Sequence, residues 1–153
     1  MRELRHQQSP VMRPSVRRQR LKPSVLVAIG LGGALGAGAR YGLVDAFPAR
    51  AGGVPWTTLA INLSGSFALG ALLTVLLERW PPTRFVRPFV AIGFLGAFTT
   101  FSTVAVESDL LVKDSHVATA LVYDVLSLAG GLVAAFVGII AGRARRPVGR
   151  RMR

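Results

Sequence analysis

Four long runs of apolar residues make up most of the sequence, and short polar or proline-containing connections separate them. The runs cover about Ser24 to Val44, Trp56 to Leu77, Phe85 to Val106 and Val117 to Ala141. A helix needs roughly 20 largely apolar residues to cross the hydrocarbon core of a bilayer, and each run reaches that length. The pattern therefore predicts an all-α integral membrane protein with four transmembrane helices.

The domain organisation follows from the same pattern. Residues 24–142 form one predicted transmembrane domain, whose connections are too short to hold a domain outside the membrane. The flanking segments 1–23 and 143–153 are polar and basic, and we expect them to be disordered tails. The first run is too long for a cleavable signal peptide and lacks a clear small-residue cleavage site.

The distribution of charge predicts the orientation in the membrane. Of the 153 residues, 51% are hydrophobic and 17% are charged, with 19 Lys and Arg against 7 Asp and Glu. Sixteen of the basic residues lie in the two tails and around the second connection, whereas Arg50 and Lys113 lie on the opposite side. Because cytoplasmic segments carry the excess of Lys and Arg, we expect a cell-membrane protein with both termini in the cytoplasm.

The composition also argues against two other classes of protein. The basic residues are divided between two tails without interleaved aromatic residues, so no nucleic-acid partner is expected. There is no Cys, and the two histidines, His6 and His116, lie in a tail and in a connection. No nucleophile with a neighbouring base and no metal-ligand cluster is visible, so the chain is not expected to be an enzyme.

Charged residues inside the predicted spans need a partner or a function, because a charge in hydrocarbon is costly. Arg40 lies about one turn inside the end of the first span. It either snorkels toward the interface or attracts an anion at a pore mouth. Asp124 lies at a similar depth in the fourth span, and we therefore predict an ion pair between Arg40 and Asp124.

Small and uncharged polar residues in the first two spans have a packing explanation as well as a functional one. Gly32 and Gly36 have the four-residue spacing that lets helix backbones approach closely. Asn62 either bonds between helices or donates its amide hydrogens to an anion that has lost its water. Ser64 and Ser66 can simply bond back to their own helix.

The third run contains residues that weaken a helix near its middle, namely Gly93, Gly96, Ala97 and the pair Thr99-Thr100. Irregular backbone at that depth persists only where it is buried in protein or lines a wet cavity, and its carbonyl groups can hold a cation. We therefore predict that the third helix is broken near its middle. Phe98 and Phe101 flank the weak point, and the positive edge of an aromatic ring can contact a small anion.

Three segments together resemble the CrcB/Fluc fluoride channels, and the resemblance extends from Gly32 to about Gly142. They are Gly33-Ala-Leu-Gly-Ala-Gly-Ala-Arg-Tyr41, Thr58-Leu-Ala-Ile-Asn-Leu-Ser-Gly-Ser-Phe-Ala-Leu-Gly70 and Gly93-Phe-Leu-Gly-Ala-Phe-Thr-Thr-Phe-Ser-Thr103, the last followed by Glu107. A Thr-Thr-Phe-Ser-Thr core inside a hydrophobic span is the most specific of the three. The resemblance implies a passive, fluoride-selective channel that exports fluoride to lower its cytoplasmic concentration.

The resemblance also implies an antiparallel dimer with two pores and a structural sodium ion at the dimer axis. The fluoride pore would be lined by Asn62, Phe101, Ser102, Thr103, Tyr123 and Ser127. Arg40 and Glu107 would lie near the pore mouths, and the backbone carbonyl groups of Gly96 and Thr99 would bind the sodium ion.

The chain departs from the typical family pattern at two positions. Val104 stands where a second Phe is typical, and Ala97 stands where a second Gly is typical. The charge bias of 16 basic residues against two also opposes insertion in both orientations, which an antiparallel homodimer requires. We therefore expect a heterodimer with an oppositely oriented paralogue.

Two alternatives remain open from the sequence. The first is a non-transporting partner subunit of a heterodimeric fluoride channel, which the substitution at Val104 keeps in consideration. The second is a small multidrug transporter of four helices, which needs a carboxylate embedded in the first span. The first acidic residue there is Asp45, at the end of the span, which disfavours this alternative.

Overall fold

A computed structural model describes residues 22–78 and 84–144 of the chain. The predictions for most of both tails, and for the contribution of Arg79 to the second connection, lie outside these residues. Within the described ranges all regular secondary structure is helical, and four helical spans are long and apolar enough to cross a membrane. The predicted all-α architecture with four transmembrane helices is therefore confirmed.

The four spans are Pro23–Ala46, Trp56–Glu78, Arg87–Lys113 and Val117–Ala144. Pro23 occupies the first turn of its helix, where a missing N–H costs nothing. The first–second and third–fourth connections lie at the same end of the bundle, which we call the connection end. The other end holds both termini of the described chain, and there Arg84 Nη2 donates to Ser24 Oγ at 2.8 Å.

The third span extends beyond the predicted run from Phe85 to Val106, and the predicted connection between that run and Val117 is therefore too long. The helix continues to Lys113, so that only three residues separate it from the fourth span. Leu111 is buried in a cluster with Leu59, Val104, Ala120 and Tyr123. Because this cluster needs Leu111 on the inner helix face, apolar packing extends the helix beyond the apolar run.

The helices pack in two pairs, first against third and second against fourth. Gly32 and Gly36 allow the first pair to approach, because a Cβ atom at either position would collide with the carbonyl oxygen of Phe89 or Phe94. Gly138 has the same role in the second pair, where a Cβ atom would collide with the carbonyl oxygen of Phe67. Small residues thus serve close backbone packing in both pairs.

The third span consists of three helical segments. A π-helical segment covers Arg87–Leu95, a single turn covers Gly96–Phe98, and an α-helix covers Phe101–Lys113. Between the turn and the last helix, Thr99 (φ −79°, ψ 151°) and Thr100 (φ −151°, ψ 129°) have extended backbone. This two-residue interruption is half-buried and positions the candidate site.

Candidate functional site

The side-chain amide of Asn62 bonds to the interruption of the third span. Its Nδ2 donates to the carbonyl oxygen of Thr100 at 3.0 Å, and its Oδ1 accepts from the amide nitrogen of Thr100 at 2.8 Å. An amide side chain has the same donor and acceptor as a peptide group, so Asn62 satisfies both backbone groups at once. Without this partner, Thr100 would leave polar backbone unpaired inside the membrane.

The interruption redirects the amide groups that would normally bond to Gly96 and Thr99. In a continuous α-helix the amide of Thr100 would donate to Gly96 O, but here it donates to Asn62. Likewise the amide of Thr103 would donate to Thr99 O, but it donates to Thr100 Oγ1 at 3.2 Å. The two carbonyl groups predicted to bind sodium are therefore the two that lose their helical donors to side chains.

Three hydroxyl groups meet where the last helix of the third span begins. Thr100 is the N-cap residue, and its Oγ1 lies 3.1 Å from both Ser102 Oγ and Thr103 Oγ1. Ser102 and Thr103 were predicted to line the pore, and the structure places both beside the interruption. A threonine at the N-cap is favoured because its oxygen accepts an otherwise unpaired backbone amide.

Arg40 reaches the same region from the first span. Its Nε donates to Ala97 O at 3.2 Å, and its Nη1 donates to Thr103 Oγ1 at 3.3 Å. The predicted ion pair between Arg40 and Asp124 is therefore wrong. The first and fourth spans do not contact each other, and Asp124 Oδ2 instead accepts from Ser108 Oγ at 2.9 Å. Their similar predicted depth did not make the two charges neighbours.

Glu107 lies in a second polar cluster toward the connection end. Its carboxylate accepts from Thr58 Oγ1 at 2.8 Å and from the Tyr123 hydroxyl at 2.6 Å. Tyr123 is 0% exposed and Thr58 is 2% exposed. The carboxylate is therefore held by two buried donors, one from the second span and one from the fourth. Hydrogen bonds to a charged acceptor are among the stronger ones in proteins.

Several of the predicted pore residues line one cavity of about 390 Å³. Its lining includes Asn62, Ser66, Gly96, Thr99, Thr100, Phe101, Val104, Ser127 and Leu128. The Ser127 hydroxyl is buried and has no hydrogen-bond partner in the described part of the chain. Phe101 is 72% exposed beside the opening, whereas Val104 is 4% exposed and packs in the apolar cluster.

The structure thus divides the predicted site residues into groups. Asn62, Phe101 and Ser127 share the cavity with Gly96 and Thr99. Ser102 and Thr103 lie beside the hydroxyl group of Thr100, and Arg40 donates to Thr103. Tyr123 belongs with Glu107 in the second cluster.

Sequence reasoning missed two contributors to the site. Thr58 lies four residues before Asn62 in the second span, so both project from one helix face, and this spacing was the available signal. Thr100 was considered only as a residue that weakens the helix. Its role as N-cap could have been inferred from a hydroxyl residue that precedes a helical run.

Comparison with known proteins assigns the family. The sequence model of the CrcB-like protein family (Camphor Resistance, CrcB) matches residues 27–139. A protein named fluoride-specific ion channel FluC 3 from Streptomyces avermitilis is 52% identical over 126 residues, which cover 82% of this chain. The chain spans only 62% of that relative's length.

Two further relatives carry similar names. Fluoride-specific ion channel FluC 2 from Nocardia farcinica is 43% identical over 122 residues, covering 80% of this chain and 84% of the relative. Fluoride-specific ion channel FluC 2 from Geobacillus kaustophilus is 41% identical over 128 residues, covering 82% and 98%. The names describe channels rather than enzymes, as the sequence predicted. This chain is therefore a multi-pass membrane protein that belongs to the CrcB family.

Proposed function

We propose that this chain is a subunit of a fluoride-selective channel that exports fluoride passively and so lowers its cytoplasmic concentration. The observation that carries the proposal is the cavity beside the interrupted third span, which presents the buried Ser127 hydroxyl, the Asn62 amide and the Phe101 ring. The names of the relatives supply the identity of the anion.

The donors in the cavity suit a small, strongly hydrated anion. The Asn62 amide nitrogen carries two hydrogens, one of which bonds to Thr100 O, so the second is available to a fluoride ion. The Ser127 hydroxyl provides another donor, and the edge of the Phe101 ring provides a weaker positive contact. Several weak sites in sequence let an ion enter without being held too tightly to leave.

The backbone at the interruption supports the proposal of a structural sodium ion. Sodium is a hard cation that prefers oxygen ligands, and Gly96 O and Thr99 O have both lost their helical donors. When bound between two subunits, the ion would supply positive charge that neutralises these carbonyl dipoles. In the described residues no group of three or more His, Cys, Asp or Glu offers another site for a metal.

We propose further that the channel is an antiparallel heterodimer, in which both termini of this chain lie in the cytoplasm. The 16 basic residues on one side against two on the other support a single orientation. An antiparallel partner would then have to be a paralogue with the opposite charge bias. The exposed Phe101 ring is a position at which such a partner would complete the pore.

The test is fluoride efflux from liposomes that contain the chain alone, measured with a fluoride electrode, with chloride efflux as the selectivity control. Fluoride-selective efflux that Asn62→Asp abolishes would support the channel and make the obligate heterodimer wrong. If the chain alone is silent, an oppositely oriented paralogue is added from the same genome. Restored efflux would support the heterodimer, and continued silence would favour the non-transporting partner subunit.

A further inference from the structure

The two hydrogen bonds of Arg40 lie on opposite sides of the interruption in the third span. Ala97, which accepts from Nε, belongs to the turn before the extended residues, and Thr103, which accepts from Nη1, belongs to the helix after them. One rigid guanidinium therefore connects the two halves of a broken helix. Asn62 bonds to Thr100 between these two points from the second span.

The bond to Ala97 replaces one that the interruption removes. In a continuous helix the amide of Phe101 would donate to Ala97 O, but extended backbone at Thr99 and Thr100 separates the two groups. Arg40 Nε supplies the donor instead. An unpaired carbonyl group at this depth would be costly, so the guanidinium stabilises the interrupted form of the helix.

We propose that Arg40 is a positioning residue that holds the interruption in its conducting shape, and that its charge is not what attracts the anion. Both oxygen atoms that accept from it belong to neutral groups, and among the described residues no carboxylate lies within 4.0 Å of its guanidinium. The fork of the guanidinium matters because it presents N–H groups in two fixed directions. The ammonium group of a lysine is a compact point charge and cannot reproduce both bonds at once.

This inference rests on the proposed channel function, and substitutions that separate charge from geometry test it. We would compare fluoride efflux for Arg40→Lys and Arg40→Gln in liposomes at about 0.1 M and about 1 M salt, which shortens the Debye length from about 10 Å to about 3 Å. Arg50→Gln is the matched control, because it removes the same charge from the exposed connection at the same end of the bundle.

If Arg40 positions the interruption, Arg40→Lys and Arg40→Gln both lower efflux by about tenfold or more, and the loss is the same at both salt concentrations. Arg50→Gln leaves efflux within about twofold of the unmodified chain. The proposal is overturned if Arg40→Lys retains full efflux while Arg40→Gln does not. It is also overturned if the loss in Arg40→Gln disappears at high salt, because both results are those of an electrostatic attractor.

Substitution of Thr103, which accepts from Arg40, provides a second test that leaves the charge of Arg40 in place. Thr103→Val removes the oxygen that Nη1 contacts, whereas Thr103→Ser keeps it. We expect Thr103→Val to lower efflux in the unmodified chain and to have little further effect in the Arg40→Gln background. Thr103→Ser should retain the efflux of the unmodified chain. Full additivity of the two changes would count against the shared role.

Thermal unfolding in detergent separates failure of this inference from failure of the proposed function. If neither the unmodified chain nor its mixture with a paralogue conducts fluoride, the channel proposal fails. The unfolding temperature is then measured for Arg40→Gln, Thr103→Val and the double variant. Coupling between Arg40 and Thr103 in these measurements would retain the positioning role, and its absence would reject it.

Discussion

Asn62 and Thr100 form a closed two-bond ring, in which the side-chain amide of one residue pairs with both backbone groups of the other at 2.8 and 3.0 Å. The pairing stabilises extended backbone in the middle of a membrane span, where unpaired peptide groups are costly. It uses only one of the two amide hydrogens of Asn62, and both residues line the cavity.

The substitution Asn62→Asp tests this ring with almost no change of shape. The carboxylate keeps an acceptor for the amide of Thr100 but places an oxygen against Thr100 O, so one bond becomes a repulsion. We expect fluoride efflux to fall by on the order of 100-fold and the free energy of unfolding by about 1–3 kcal/mol.

Ser64→Ala is the control for Asn62→Asp, since among the described residues the Ser64 hydroxyl bonds only to Ile61 O of its own helix. We expect it to change neither efflux nor unfolding. Normal efflux in Asn62→Asp would show that the amide hydrogens of Asn62 are not needed for conduction.

Ser127→Ala should separate stability from function. The Ser127 hydroxyl is buried in the cavity without a hydrogen-bond partner among the described residues, so its removal costs the folded chain little. Removing an unpaired buried polar group should leave the unfolding temperature unchanged or raise it slightly. If the hydroxyl donates to fluoride, efflux should fall by about 5- to 50-fold, the equivalent of about 1–2 kcal/mol for one lost hydrogen bond. A fall in the unfolding temperature together with the fall in efflux would instead indicate a structural role.

Tyr123→Phe should destabilise the second polar cluster. The substitution removes the donor that lies 2.6 Å from Glu107 Oε2 and leaves that oxygen facing a buried, apolar ring. We expect a loss of about 1–3 kcal/mol in the free energy of unfolding, measured by denaturant or heat in detergent. Adding Glu107→Gln to Tyr123→Phe should recover part of this loss, because the neutral amide is easier to leave half-paired than a carboxylate. A double variant less stable than Tyr123→Phe alone would contradict this account.

Gly36→Ala and Gly38→Ala form a matched pair on one helix. A Cβ atom at Gly36 would collide with the carbonyl oxygen of Phe94, whereas a Cβ atom at Gly38 has nothing within 4 Å. We expect Gly36→Ala to lower the free energy of unfolding by about 1–3 kcal/mol, since both helix backbones must separate. Gly38→Ala should raise it by up to about 1 kcal/mol through helix propensity alone. Similar effects of the two substitutions on the unfolding temperature would argue against the packing of the first span on the third.

The sequence by itself determined the membrane architecture, because the length of an apolar run and the requirement for internal hydrogen bonding leave only helices. It also marked the chemistry of the third span, since glycine and threonine residues weaken a helix wherever they occur together. The Gly32 and Gly36 spacing predicted close packing, and the structure places the backbone of the third span against both residues. These features depend on neighbours along the chain.

Only the tertiary structure decided which polar groups meet. Arg40 and Asp124 have similar predicted depths in their spans, but depth does not specify the direction in which a helix faces, and the first span packs on the third rather than the fourth. The partners of Glu107, namely Thr58 and Tyr123, come from two helices whose rotation depends on glycine contacts far along the bundle. Hydrogen bonds between spans depend on helix rotation, which is set by packing at many positions together.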